Sequence, residues 1–219
     1  PSCGVLSSAH FPAKNNGNFL ICNSIGFLGI KQYTLADDGN GNRQGTAVDD
    51  LMVSPKDRNF RPTDIEIGGD GALYVSDWQN VIVGHMQHNV RDPNRNKTHG
   101  RIFRVTYEGR ELSKKISVDG ESIETLLDLL KHPINGVRHR ARVELSEHPS
   151  DKVLAATDKW LKQFDPKSKE DAHHILEALW VYQRNDTKNE ALLKTVLSSP
   201  EEHARISAKT VKHFWDQNK

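Results

Sequence analysis

The densest run of reactive side chains is Gly84-His-Met-Gln-His-Asn-Val-Arg-Asp-Pro-Asn-Arg-Asn-Lys-Thr-His-Gly100, which concentrates His85, His88, His99, Arg91, Arg95, Lys97 and Asp92. Three chemistries fit these residue types. His85 and His88, at i and i+3, could share one face of a turn and, with His99 or Asp77 as a third ligand, hold a metal ion. Arg61, Arg91, Arg95 and Arg101 could clamp a carboxylate-bearing cofactor or substrate, because guanidinium presents a fork that matches carboxylate geometry. His85, His88 and His99 are then the candidates for proton transfer. In the third reading Asp92 pairs with Arg91 or Arg95 and the histidines bond backbone, so the run only keeps a large loop in shape. His139, His173 and His174 lie in Arg- or Glu-rich helical surroundings and read as surface residues. Trp160, Trp180 and Trp215 fall on apolar stripes and read as core.

The elements that must position this loop are short strands. From the start to Gly109 the pattern is alternating runs separated by Gly, Asn, Asp and Pro, which reads as all-β. Thr63-Asp-Ile-Glu-Ile67, the turn cluster Gly68-Gly-Asp-Gly71 and Ala72-Leu-Tyr-Val-Ser-Asp77 form an antiparallel hairpin, and Arg101-Ile-Phe-Arg-Val-Thr-Tyr107 supplies the next strand. Gly17-Asn-Phe-Leu-Ile-Cys-Asn23 matches Gly71-Ala-Leu-Tyr-Val-Ser-Asp77 at an offset of 54 residues. A hairpin-rich unit at that interval suits a β-propeller blade with an enlarged loop. Successive hairpins of a meander alternate ends, so Asp57–Pro62, before the inner strand, must lie at the same end as Trp78–Gly100, between the second and third strands. The earlier repeat crosses the equivalent gap with only Ser24-Ile-Gly-Phe-Leu-Gly29, which makes the later loop an insertion.

Beyond a linker at 110–120 the period becomes helical over 121–219. Apolar stripes run through Ile123, Leu126, Leu127 and Leu130; Val153, Leu154, Trp160, Leu161 and Phe164; Ala172, Ile175, Leu176, Leu179 and Trp180; Leu192, Leu193, Val196 and Leu197; and Ala204, Ala208, Val211 and Trp215. Ser199-Pro-Glu-Glu202 predicts a helix start with Ser199 as N-cap and Glu202 closing a capping box. Leu130-Lys-His-Pro133 with Arg138 and Ala141 is repeated as Leu197-Ser-Ser-Pro200 with Arg205 and Ala208, the pattern of a HEAT-like α-solenoid. The expected fold is therefore β then α: the last blades of a partial β-propeller over 1–109, then HEAT-like repeats.

Bulk properties bound the function. Thirty Lys+Arg against twenty-nine Asp+Glu give a net charge of +1, so there is no global electrostatic reason to expect nucleic acid or a charged membrane as partner. No apolar run reaches the roughly 20 residues of a membrane span, and there is no secretory n- and h-region. The abrupt opening at Pro1 without an initiator Met suggests an internal fragment whose remaining blades lie upstream. Cys3 and Cys22 stand outside any Cys-x-x-Cys pattern; they read either as a disulfide near the ends of paired strands or as two free buried thiols.

Asn59-Phe-Arg-Pro-Thr-Asp-Ile-Glu-Ile67, Asp70-Gly-Ala-Leu-Tyr-Val-Ser-Asp-Trp78, and Gly84-His-Met-Gln-His88 through Arg91-Asp-Pro-Asn-Arg95 to Thr98-His-Gly-Arg101 resemble the end of the propeller in the bacterial membrane-bound dehydrogenase-domain family. Leu126-Leu-Asp-Leu-Leu130 and His174-Ile-Leu-Glu-Ala-Leu-Trp180 extend the resemblance into the helical half. That family is similar to soluble quinoprotein glucose and sorbosone dehydrogenases, and its members typically continue into HEAT repeats and a c-type haem domain. The resemblance implies a periplasmic or cell-envelope location and a sugar-like or alcohol substrate. It further implies pyrroloquinoline quinone and calcium as cofactors of the whole protein, with electrons passed to a haem domain outside this chain. The positions matching the loop motif are His85, His88, Arg91, Asp92, Arg95, His99 and Arg101. The base and calcium ligands of quinoprotein relatives come largely from earlier blades, so the fragment alone is expected to be inactive. A second expectation is non-catalytic: a propeller and solenoid scaffold that docks protein or polysaccharide, with Arg138, Arg140, Arg142 and Arg205 lining one helical face.

Overall fold

The computed structural model describes residues 2–38, 42–81, 92–114 and 116–217. Among them are seven strands in two antiparallel sheets, followed by six helices, so the chain is β then α. It divides into two compact units, Pro1–Lys115 and Ile116–Lys219.

In the first unit β1 (Cys3–Val5), β2 (Phe19–Asn23), β3 (Gly29–Asp37) and β4 (Arg43–Val53) form one meander, and β5 (Pro62–Ile67), β6 (Leu73–Asp77) and β7 (Arg101–Val105) form a second. Period-two alternation buries Leu20 and Cys22 on β2, Ile65 on β5, and Leu73 and Val75 on β6, and these side chains share one core with Ile30 and Phe60. The two sheets are also stitched by Ser2 N–H to Thr63 O at 2.8 Å and Ser24 Oγ to Pro62 O at 2.7 Å.

The β5–β6 hairpin pairs Ile67 with Leu73, as its sequence predicts. Its turn needs glycine twice over: Gly71 has φ +83°, and a Cβ there would stand 3.0 Å from His10 Cβ and 3.1 Å from Ser8 Oγ. Asp70 closes the turn by accepting from Ala72 N–H, Tyr74 Oη–H and Arg104. The repeat expected 54 residues earlier is present, with β2 and β3 separated only by residues 24–28.

Three features of the first unit depart from the sequence reading. β3 and β4 extend past β2 as a two-stranded ribbon, paired from Gln32↔Val48 to Asp37↔Arg43 and largely exposed. Both thiols are free, Cys3 exposed and Cys22 buried. Cys3 pairs with Ile21, which places it on the sheet face opposite Cys22, so a disulfide between them is geometrically excluded. The stretch expected as linker from 110 is bound to the first unit at its start. Arg110 Nη1 donates to Phe11 O at 2.9 Å, and Ser113 N–H to Asp70 O at 2.8 Å. Tyr107 N–H donates to His10 Nε2 at 2.8 Å, which leaves His10 Nδ1–H to donate to Glu111 O at 3.0 Å.

The second unit contains α1 (Ile123–Leu129), α2 (Asn135–Leu145), α3 (Ser150–Leu161), α4 (Ala172–Arg184), α5 (Glu190–Leu197) and α6 (Glu202–Gln217). The apolar stripes bury Leu126, Leu127, Val153, Trp160, Ile175, Leu179, Leu192, Val196, Ala208, Val211 and Trp215 in a single core. Ser122 and Asn189 cap α1 and α5 through Thr125 N–H and Leu192 N–H. The predicted start of α6 shifts. The helix opens at Glu202, Ser199 Oγ accepts from Glu201 N–H, and the carboxylate that caps the first turn belongs to Glu201, which accepts from Ala204 N–H at 2.9 Å. The repeated Pro…Arg motif has one structural job at both copies: Arg138 Nη1 donates to His132 O, and Arg205 Nη1 to Ser199 O.

Candidate functional site

The loop between β6 and β7 is rooted on one buried carboxylate. Asp77 ends β6 with its side chain fully enclosed, Oδ1 accepting from Arg61 N–H at 2.6 Å and Gln79 N–H at 2.8 Å, and Oδ2 from Arg101 Nε at 2.6 Å. Three segments therefore meet at one point, the entry to β5, the exit from β6 and the start of β7, as the meander topology requires. Arg101 also reaches Asp57 Oδ2 through Nη1 at 2.6 Å and lies over the Phe103 ring, which packs edge-on against Phe60.

Arg61 is buried and donates Nη1 to Phe60 O and Nη2 to Val81 O. Trp78 N–H donates to Arg61 O at 3.0 Å. Gln79 occupies the left-handed region at φ 51°, uncommon for a residue with a side chain, and is held there by Asp77 and by Asn96 Nδ2 on its Oε1. Buried Asn80 donates to Asn96 O, so both ends of the loop are laced together.

The electrostatics follow from this geometry. The hydrogen bond from Asn59 N–H and the Arg101 guanidinium hold the Asp57 carboxyl below its ordinary range. Burial opposes the charge of Arg101, but Asp57 and Asp77 outweigh it and raise its pKa. Burial prevails at Arg61 and lowers its pKa. Two guanidinium N–H groups, Arg61 Nε and Arg101 Nη2, are buried with no acceptor among the described residues.

The expected site residues distribute unevenly. Arg61, Arg101 and Asp77 come together. Asp77 has its oxygens committed to three N–H donors, so a cation bound there would have to displace Arg101. Among the described residues no group of three His, Cys, Asp or Glu side chains is placed to hold a metal. His99 is exposed and bonds Asn96 Oδ1 and Thr98 Oγ1. Arg95 donates its N–H to Asp92 O, while Asp92 Oδ1 accepts from Asn94 N–H. His85, His88 and Arg91 lie outside the described residues. Asp57, Gln79, Asn80 and Asn96 belong to the cluster and were not singled out in the sequence; the one local sign was Asp57 two positions before Asn59, the spacing of an Asx turn.

In the helical unit Arg138 and Arg142 converge on Glu177, a fully buried carboxylate that also accepts from His173. Burial alone would raise its pKa, but His173 and Arg142 hold it below the ordinary 4.5. His173 is exposed, as expected, and reaches Glu177 from the surface, while half-buried His174 packs against Phe164 at 5.1 Å, with burial lowering its pKa. His139 is exposed, as expected. No helix among the described residues is long and apolar enough to cross a membrane.

Fold and site together define a class: a two-unit β-then-α chain whose second sheet presents a loop anchored by an aspartate and two arginines. Residues 1–109 match the family model described as a domain of unknown function (DUF7133). No curated protein and no solved structure matches the chain.

Proposed function

We propose that this chain forms the last blades of a β-propeller and a HEAT-like α-solenoid in a periplasmic or cell-envelope dehydrogenase-like protein that resembles quinoprotein sugar and alcohol dehydrogenases. The observation that carries the reading is the pair of buried donors, Arg61 Nε and Arg101 Nη2, without acceptors among the described residues at the root of the β6–β7 loop. A buried donor left unmet costs about 1–3 kcal/mol, so an oxygen of an anionic ligand is favoured there. Two consecutive meanders packed over one apolar core support the propeller, and the common role of Arg138 and Arg205 supports the solenoid.

Pyrroloquinoline quinone, an anionic quinone, suits these donors and would supply the two-electron redox chemistry when bound. Arg61 and Arg101 would hold its carboxylate oxygens; calcium does not fit at Asp77, and its ligands on this reading come from other blades. Two sheets do not close a ring, so the other walls of the site, like the haem domain that takes the electrons, belong to further segments of the same polypeptide. The test is dye-linked oxidation of a panel of sugars and alcohols by the full-length protein with pyrroloquinoline quinone and calcium. Substrate-dependent dye reduction supports the assignment, and its absence together with absence of cofactor binding refutes it.

The charge balance favours a second reading. Asp57 and Asp77 both pair with Arg101, and the Arg61 guanidinium bonds the carbonyls of Phe60 and Val81, so two carboxylates balance two guanidinium groups, the arrangement of a structural pin in a non-catalytic scaffold that binds protein or polysaccharide. Folded full-length protein that binds a polysaccharide and turns over no substrate would favour the scaffold.

A further inference from the structure

The helical unit contains a cavity of about 420 Å³ lined by Arg142 of α2, Trp180, Gln183 and Arg184 of α4, and Phe214 of α6. Its size falls in the lower range of small-molecule sites. Trp180, expected in the core, is only half-buried and forms part of this wall, while Phe214 leaves 40% of its surface exposed.

The cationic side of the cavity is fixed before any ligand arrives. Arg142 bonds Glu177 and lies over the Trp180 ring, 5.1 Å from its centroid. Arg138 shares the same carboxylate, so two guanidinium groups face one negative charge and leave a positive surplus. Arg184 adds a second uncompensated charge. Its Nε donates to Ser146 Oγ at 3.3 Å, and that hydroxyl is itself oriented by donating to Val143 O at 2.6 Å. The terminal nitrogens of Arg184 have no acceptor among the described residues.

We propose that this cavity binds a monoanionic carboxylate carried on an aromatic or apolar body, with the carboxylate on Arg184 and the body against Trp180 and Phe214. Geometry sets a single carboxylate: Arg138 and Arg142 both bond Glu177, which leaves Arg184 as the lining arginine whose terminal nitrogens have no acceptor among the described residues. Aromatic surface on two sides sets the body, since flat apolar groups gain most from burial against rings. The ligand is a free aromatic acid or the C-terminal residue of a peptide, which share this chemistry.

The test is calorimetric titration of the intact protein with 2-naphthoate, its neutral amide, and a short peptide ending in phenylalanine with a free or amidated C-terminus. Saturable binding of at least one carboxylate is expected, weakened about tenfold or more by amidation and by Arg184→Gln, the worth of a charge-assisted hydrogen bond. Phe214→Ala should weaken it about threefold or more, as loss of an aromatic contact does. Both positions are exposed, and unchanged melting of the variants separates lost binding from lost folding. Preference for the acid or the peptide identifies the source. Absence of saturable binding by any carboxylate, or equal affinity of Arg184→Gln and the parent, overturns the proposal.

Discussion

Asp77 accepts three hydrogen bonds from three separate segments, which makes it the residue on which the loop's geometry depends. Asp77→Asn keeps the shape but removes the charge facing Arg101 and puts an amide donor where one oxygen accepted. Because Arg101 is 32% exposed, the buried-pair cost is discounted, and a loss of about 2 kcal/mol is expected in chemical denaturation. Glu177 is enclosed more completely, so Glu177→Gln should cost about 3 kcal/mol by leaving two guanidinium groups around an uncharged partner. The same residue sets an acid limit. Its folded pKa lies below its ordinary 4.5, so its stabilising contribution is full above 4.5 and disappears as pH falls through the folded value. Unfolding measured between about pH 6 and pH 3 should show that acid slope in the parent and a shallower one in Glu177→Gln. Thiol titration is equally specific. Burial, reinforced by Asp64, pushes the Cys22 thiol up to about 11, whereas Cys3 is exposed. One thiol should react quickly with a disulfide reagent in the native protein and both after denaturation; two fast thiols would contradict the burial of Cys22.

At the scale of elements, the β5–β6 hairpin was legible because its strands alternate strictly around a glycine-rich turn, and Gly71 is where that turn is tightest. Gly71→Ala combines a left-handed backbone with a Cβ 3.0 Å from His10 Cβ, so a loss of about 1–3 kcal/mol is expected by thermal or chemical unfolding. The β3–β4 ribbon was not legible. Arg43-Gln-Gly-Thr-Ala-Val-Asp-Asp is exposed on both faces, so no apolar alternation marks it. Helix α2 was seen through its Pro…Arg motif rather than as an element, because its buried face is only Val137, Ala141 and Leu145 among charged neighbours. Topology brought Arg61 to the loop from sequence alone. The Asp57–Arg101 pair was invisible because its partners stand far apart in the chain and nothing local links them. Glu177 was hidden for the opposite reason: it lies within an apolar stripe, and only packing shows that it is the buried partner of arginines on another helix.

Across the whole molecule the two units have separate cores, one built from Leu20, Ile30, Phe60 and Val75, the other from Leu127, Val153, Leu179 and Trp215. A fragment spanning 116–219 should therefore fold alone to a helical, cooperatively melting domain, checked by circular dichroism; a non-cooperative or unfolded fragment would contradict independent cores. The dehydrogenase assignment rests on the arginine pair in the other unit, and direct cofactor binding tests it most closely. Pyrroloquinoline quinone titrated into the full-length protein should bind saturably. Arg61→Lys keeps the charge but removes the buried Nε–H and the fork, and it should weaken that binding about tenfold or more; because it also gives up bonds to Phe60 O and Val81 O, the comparison is made at a temperature where circular dichroism shows the variant folded. No saturable binding by the parent, or equal affinity in the variant, would contradict it.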